Sequence, residues 1–167
     1  QPPLFPDHQR PDTLTRLLLG AFGLALLFAG VNFILQTLMQ PHGIQDAWNI
    51  WNMRARFMFR GGPGWTDLFS SNLYWLNHPD YPFLVTAGTA RAWSFVGNAN
   101  TLVPAVQAAL YALALVTFLF SAAASKRGWD QGAVPSLLLA GSPIFVLLAG
   151  WQIADVPLAF FLTASVF

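Results

Sequence analysis

The feature that most constrains this chain is an apolar run from Leu17 to Leu35, interrupted only by Asn32. A helix over this run is about 28 Å long, close to the roughly 30 Å thickness of the hydrocarbon core of a bilayer. Only 9% of the residues are charged and 55% are hydrophobic, whereas soluble domains carry roughly 25% charged residues. So few charges cannot cover a water-facing surface. The sequence therefore predicts an all-α integral membrane protein.

Composition and motifs exclude several function classes. A net charge of +1 gives no basic patch for nucleic acid. The chain has no cysteine, and therefore no disulfide framework and no thiolate metal site. It also has no Gly-rich nucleotide loop, no haem motif and no zinc-type His pair. We predict no metal-ligating residues; the cofactor stays unknown, with a divalent metal left open.

The apolar pattern divides the chain into a tail and a polytopic transmembrane domain. Residues 1–13 are predicted to be a cytoplasmic N-terminal tail, because Arg10 and Arg16 precede the first crossing. Residues 14–167 are predicted to be the transmembrane domain, incomplete at its C-terminus because its last apolar run is cut short. The predicted crossings are 17–36, 102–124, 133–151 and the start of a further one at 156–167.

The external loop 37–100 is predicted to hold two juxtamembrane helices. The first runs from Asp46 to Arg60, with a broad apolar face typical of a helix in the membrane interface. Its narrow polar stripe consists of Asn49, Asn52, Arg56 and Arg60. The second helix, 83–96, reaches only about 21 Å, which is too short to cross comfortably. If 83–96 does not cross, Asp46 and Asp155 share one side of the membrane; if it crosses, they lie on opposite sides.

Two carboxylates at predicted helix starts are candidate catalytic residues. Asp46 follows the first crossing, and Asp155 precedes the last one. A carboxylate at the membrane interface can deprotonate an acceptor hydroxyl, and ionisable groups at membrane depth are costly and often functional. The alternative is that each carboxylate only caps its helix. Two acidic helix starts on one side favour function more than either alone.

Polar side chains in the same regions are candidate substrate-binding residues. They are Arg54, Arg56, His78, Asp80, Tyr81 and Gln152. The two arginines could hold a phosphate or extend to lipid headgroups. The His-Pro-Asp-Tyr-Pro segment is held rigid by its prolines. It is either a phosphate or metal site or only a rigid turn before a helix.

The order of these motifs resembles a known superfamily. Along the chain stand a helix, a loop with Asp-Ala-Trp-Asn-Ile-Trp and basic residues, His-Pro-Asp-Tyr-Pro, a long helix, a Lys-Arg loop, a helix and Ala-Asp-Val-Pro-Leu-Ala. This order is similar to the N-terminal part of the GT-C superfamily of polytopic glycosyltransferases, which use lipid-phosphate-linked sugars. Bacterial relatives of protein mannosyltransferases and aminoarabinose transferases are most alike. The likeness runs from the first helix to the end of the chain.

The resemblance implies roles for several residues. Asp46 would be the catalytic base or would position the acceptor, and Asp155 would be the second external acidic residue. His78 and Asp80 would belong to a segment near the lipid-phosphate donor, and 83–96 would be juxtamembrane. The resemblance also implies the bacterial inner membrane, with a cytoplasmic N-terminus. Because that superfamily has further helices and usually a C-terminal periplasmic region, we expect the chain to be part of a larger enzyme.

Two functions follow as expectations. The first is transfer of a sugar from a polyprenyl-phosphate donor to an acceptor on the external face, with membrane lipids and the lipid-linked donor as partners. The second is a non-catalytic transmembrane subunit of a larger membrane complex, for example a respiratory or photosynthetic one, derived from a glycosyltransferase-like protein. In that case other membrane subunits are the partners.

Overall fold

The computed structural model describes residues 11–73 and 78–167, and these residues contain helices and turns but no strand. Most of the predicted tail, 1–13, lies outside the described residues. The all-helical class predicted from composition is confirmed for the described part of the chain. The α-helices are α1 (Thr13–Met39), α2 (Asn52–Arg60), α3 (Leu84–Val96), α4 (Leu102–Arg127), α5 (Trp129–Ala140), α6 (Pro143–Gly150) and α7 (Asp155–Val166).

Two of these helices, α1 and α4, are long and apolar enough to cross a membrane. With 27 and 26 residues, both exceed the roughly 30 Å hydrocarbon core at 1.5 Å per residue. Asp12 caps the start of α1, because its carboxylate accepts a hydrogen bond from the backbone N–H of Thr15 at 2.8 Å. Both helices extend beyond the predicted crossings 17–36 and 102–124.

The predicted crossing 133–151 is broken by a bend rather than formed by one straight helix. The segment is divided into α5 and α6, which are bent by 67° relative to each other. Gly141 follows α5, and Pro143 begins α6, where a proline's missing N–H removes no intrahelical hydrogen bond. The described helices therefore give two candidate crossings, or three if α5 and α6 form one broken span.

The apolar helices form a bundle around a small core. Helix α4 packs against α5 and α7, and α1 packs against α5 and α6. The fully packed core side chains are Leu115, Val116, Phe145 and Val156. Gly132 lets α5 approach α4 closely, since a Cβ there would lie 2.8 Å from the carbonyl oxygen of Phe120 and from the Cβ of Ala124.

A glutamine on α1 supports the bent pair from the side. The Gln36 side-chain amide donates to the carbonyl oxygen of Val146 in α6 at 3.1 Å. Gly150 makes room for it, because a Cβ at Gly150 would lie 2.7 Å from the Gln36 Oε1. The polar side chain of Gln36 is therefore used inside the bundle rather than exposed to lipid.

The segment between α1 and α4 forms a second, smaller layer, here called the cap layer (residues 40–73 and 78–101). Ala55 of α2 packs against Ala90 and Trp93 of α3. Ala47–Trp51 form one π-helical turn before α2, and Gly62–Phe69 form a 3₁₀ turn after it. Helix α3 coincides with the segment predicted to be a short helix.

Two expectations about the start of the cap layer are wrong. Asp46 makes no capping hydrogen bond, because the chain enters the π turn already in a helical conformation there. The predicted polar stripe also does not face outward along its whole length: Asn52 is only 2% exposed, whereas Arg60 is exposed. The helix is covered by α3 and by the loop before α7, so an amphipathic wheel with one free face does not describe it.

Candidate functional site

The turn after α1 and the loop before α7 are joined by hydrogen bonds. The backbone N–H of Ile44 donates to the carbonyl oxygen of Trp151 at 3.5 Å. The side-chain amide of Gln152 donates to the carbonyl oxygen of Pro41 at 3.4 Å. Gly43, at a φ of +73°, fits here because a Cβ would lie 2.7 Å from the oxygen of Trp151. These contacts bring the two segments to one end of the bundle, as expected if 83–96 does not cross.

Asn52 connects the same two segments from within the cap layer. Its side-chain amide lies within hydrogen-bonding distance of the Gln152 Oε1, at 3.4 Å, and of the His42 carbonyl oxygen, at 3.2 Å. Gln152 is 4% exposed and has a φ of +60°. Such a backbone conformation costs a residue with a Cβ roughly 1–2 kcal/mol. The hydrogen bonds of Gln152 therefore hold a strained residue at the point where the segments meet.

Both candidate catalytic carboxylates lie on these joined segments. Asp46 and Asp155 are exposed, and neither side-chain carboxylate forms a hydrogen bond with another residue in the described part of the chain. Asp155 is the first residue of α7, and its carboxylate does not cap the helix. As an acidic residue of the first turn, it lies where the helix dipole favours a negative charge. As free acceptors at one end of the bundle, both carboxylates can receive a proton from a bound hydroxyl.

Arg54 is buried rather than available to a ligand. Its side chain is 0% exposed. One terminal nitrogen donates to the carbonyl oxygen of Tyr81 at 2.7 Å, and the guanidinium lies 4.3 Å from the centre of the Phe83 ring. Its Nε and its other terminal nitrogen have no partner among the described residues. Burial lowers the pKa of Arg54, and the negative charge of Asp80 partly offsets this effect.

The His-Pro-Asp-Tyr-Pro segment covers Arg54 through a stack of rings. The Tyr81 ring lies between those of Trp51 and His78, with centroid separations of 5.6 Å and 4.8 Å. His78 has a φ of +42°, and Asp80 is exposed. The described residues include no group of three His, Asp or Glu side chains placed to hold a metal ion. In this arrangement Tyr81 holds the His-Pro-Asp-Tyr-Pro segment against Trp51.

Arg56, in contrast, reaches a cavity of about 450 Å³, here called the Arg56 pocket. The pocket is lined by Gln40, Pro41, His42, Gly43, Trp48 and Arg56. A terminal nitrogen of Arg56 lies 3.4 Å from the Nδ1 of His42, and its guanidinium lies 5.6 Å from the centre of the Trp93 ring. Burial, followed by the positive charge of Arg60, lowers the pKa of Arg56.

A larger apolar groove of about 670 Å³ runs between α3, α4 and α7. Small residues such as Gly88, Ala92 and Ala114 form part of its wall. Gln107 and Tyr111 line both this groove and a small internal cavity that also touches Asn52 and Gln152. The groove therefore ends next to the junction that carries the two carboxylates.

Three residues of this region were not predicted to be site residues from the sequence. Asn52 and His42 take part in the junction and the Arg56 pocket. Gln107 accepts a hydrogen bond from the Thr89 hydroxyl at 2.7 Å and donates to the carbonyl oxygen of Val85 at 3.0 Å. Polar residues inside apolar segments, as Gln107 is in α4, are the only signal that could have indicated them.

Comparison with known proteins gives no match: neither a protein-family model, nor a curated protein, nor a solved structure is similar to the chain. The resemblance to the GT-C superfamily therefore rests on the short motifs alone.

Proposed function

We propose that this chain belongs to a membrane enzyme that transfers a sugar from a polyprenyl-phosphate donor to an acceptor hydroxyl at the external face. One observation supports the proposal above the others. The hydrogen bonds of Asn52 and Gln152 hold the segments of Asp46 and Asp155 together, so two free carboxylates stand at one end of an apolar helix bundle.

In the proposed reaction Asp46 is the general base. Its carboxylate takes the proton of the acceptor hydroxyl while the hydroxyl oxygen attacks the anomeric carbon of the sugar. The bond between that carbon and the phosphate oxygen of the donor breaks, and polyprenyl phosphate leaves with the electron pair. Asp155 supports the acceptor on the other side of the junction.

The apolar groove suits the hydrocarbon part of such a donor. Its wall is almost entirely apolar, and a few polar groups, among them Asn100 and Gln107, interrupt it. Binding sites of this kind combine an apolar lining with a few polar groups that fix orientation. Gln107 and Tyr111 line both the groove and the small cavity beside the junction. A hydrocarbon chain in the groove would therefore place its polar end near the carboxylates.

The two arginines predicted to bind phosphate have different surroundings. Arg54 is enclosed and bound to Tyr81, so we propose that it positions the His-Pro-Asp-Tyr-Pro segment. Of the two guanidinium groups, that of Arg56 faces a cavity.

The deciding experiment is Asp46→Asn in the full-length protein, with sugar transfer from a polyprenyl-phosphate donor as the readout. Loss of a general base lowers the turnover rate by about 10²–10⁴-fold. Asp67→Asn is the matched control, because Asp67 is also an exposed carboxylate of the cap layer and should leave transfer unchanged. Full activity of the Asp46→Asn enzyme would sink the assignment.

A second candidate function, a non-catalytic subunit of a membrane complex, is favoured by one surface. On α1, Leu24, Leu27 and Phe28 are 64–70% exposed, so this helix leaves an apolar face open for lipid or for a partner helix. This function predicts a stoichiometric partner that stays bound during purification in detergent. A chain that is always isolated alone would contradict it.

A further inference from the structure

Three residues that line the Arg56 pocket have backbone carbonyls that are already hydrogen-bonded. The backbone carbonyls of Gln40, Pro41 and His42 surround it, and all three accept hydrogen bonds from inside the protein. Their donors are the N–H of Gly43 at 2.9 Å, Gln152 at 3.4 Å and Asn52 at 3.2 Å. The negative ends of these carbonyls are therefore already paired. The side chains that remain for a ligand are those of Arg56, His42, Trp48 and Gln40.

The positive charge in this pocket is uncompensated. The guanidinium of Arg56 lies beside the rings of His42 and Trp93, and no carboxylate among the described residues lies within ion-pairing distance of it. A second cation, Arg60, is close enough to lower the pKa of Arg56. A half-buried cation beside another cation is stabilised by an anion, and guanidinium groups match phosphate oxygens in geometry.

The pocket is continuous with a lipid-facing surface. Gln40 follows directly after α1, whose last two residues, Leu38 and Met39, are 73% and 80% exposed. Trp48, at the pocket wall, is 51% exposed, and indole side chains favour the boundary between acyl chains and headgroups. The Arg56 pocket shares no lining residue with the apolar groove, so its ligand is distinct from a chain lying in that groove.

We propose that the Arg56 pocket binds the phosphate of an anionic membrane phospholipid, whose acyl chains lie along the C-terminal end of α1. Arg56 pairs with the phosphate oxygens, and the Trp48 N–H donates to the headgroup. The bound lipid fixes the turn 40–44, and with it the junction to Gln152, at the membrane surface. This site does not depend on the proposed transfer reaction.

The test measures lipid binding to the purified full chain in a non-ionic detergent by native mass spectrometry. Short-chain phosphatidylglycerol is titrated against phosphatidylcholine of the same chain length. We expect one phosphatidylglycerol to bind preferentially. Arg56→Gln should weaken it by about 10-fold or more, the loss that removal of one charged hydrogen bond causes. Arg60→Gln, one helical turn away and outside the pocket lining, is the matched control; it removes a neighbouring positive charge but no group of the pocket, and it should weaken binding less than Arg56→Gln.

Trp48→Ala provides a second variant, because this half-exposed side chain can be removed without opening the core; it should also weaken binding. Equal affinity for the two lipids would overturn the proposal, and so would Arg60→Gln losing as much affinity as Arg56→Gln. Displacement of the lipid by an equal concentration of inorganic phosphate would show that the site takes a free phosphate instead, which also overturns it. Asp46→Asn should lose sugar transfer yet keep lipid binding, so the two proposals fail separately.

Discussion

The side-chain amide of Asn52 donates to the Oε1 of Gln152 although 100 residues of sequence separate them. Each partner also holds a backbone carbonyl of the turn after α1: Asn52 that of His42, and Gln152 that of Pro41. The pair is buried, so water does not replace these hydrogen bonds when one partner is removed. The position of Asp46 relative to Asp155 consequently depends on two amide side chains.

Substituting Asn52 should lower stability. Asn52→Leu leaves the Oε1 of Gln152 and the His42 carbonyl without a donor, which costs about 1–3 kcal/mol for a buried polar group. The measurement is the apparent unfolding midpoint in detergent, compared with Gln45→Ala, a change at an exposed position of the cap layer. A double-mutant cycle with Gln152→Ala should give a coupling energy above about 0.5 kcal/mol. Strictly additive effects would mean that the two amides do not interact.

The backbone of Gln152 makes a separate prediction. Gln152→Ala and Gln152→Gly both remove the side-chain hydrogen bonds, but only glycine adopts a φ of +60° without strain. Gln152→Gly should therefore be more stable than Gln152→Ala by about 1 kcal/mol. Thermal unfolding of the two proteins side by side decides the matter. If alanine is the more stable of the two, the left-handed conformation of this residue is refuted.

Arg54 should be replaceable by an apolar side chain of similar length. Exchanging a buried, incompletely paired charge for a well-packed apolar group is often neutral or stabilising, so Arg54→Met should stay within about 1 kcal/mol of the original stability or exceed it. Arg54→Ala leaves a cavity under Tyr81 and Phe83 and should cost about 2–5 kcal/mol. The comparison uses unfolding in detergent. A methionine variant as unstable as the alanine variant would show that the charge itself stabilises the fold.

The start of α1 should respond to acid. Hydrogen bonds from the Thr15 hydroxyl and backbone N–H lower the pKa of Asp12 from its usual value of 3.8. A carboxylate with a lowered pKa stabilises the folded state above its unfolded pKa, and this contribution disappears as the pH falls through the folded pKa. Protection of the Thr15 amide against hydrogen exchange should therefore decrease below about pH 4.

Asp12→Asn is the control for that experiment. An asparagine at this position still accepts the hydrogen bond from Thr15 but does not titrate. Its protection factor should therefore stay constant between pH 3 and pH 7, after correction for the intrinsic exchange rate. A protection factor that is equally constant in the unmodified protein would contradict the role of the Asp12 carboxylate.

The long helices could be predicted because their cause is local. An apolar run long enough to span a bilayer identifies α1 and α4 without knowledge of any neighbour. The break between α5 and α6 has a local cause too, the Gly-Ser-Pro sequence at 141–143. The apolar side chains on both sides of the break favoured one continuous helix, however. Hydropathy reports how apolar a segment is, and it does not report whether the helix axis bends.

The junction could not be predicted because its cause is non-local. A helical wheel places Asn52 on an outward stripe, but the loop before α7 covers that side and pairs with it. A different segment, His-Pro-Asp-Tyr-Pro, covers Arg54, whereas Arg56 on the same short helix faces a pocket. The structure places the segments of Asp46 and Asp155 at one end of the bundle, which is the arrangement predicted for the case in which 83–96 does not cross. Their chemical role stays a prediction.

The hydrogen bond from Gln36 to Val146 joins two segments that are synthesised at different times. At 1.5 Å per residue, α5 and α6 measure about 18 Å and 12 Å, so neither spans the hydrocarbon core alone. As one broken span they would enter the membrane together, with a bend whose backbone polar groups lipid cannot solvate. Gln36 is translated more than a hundred residues before Val146, so its amide is already in place when the bend emerges. This hydrogen bond therefore joins the end of the first helix to a helix pair that is synthesised later.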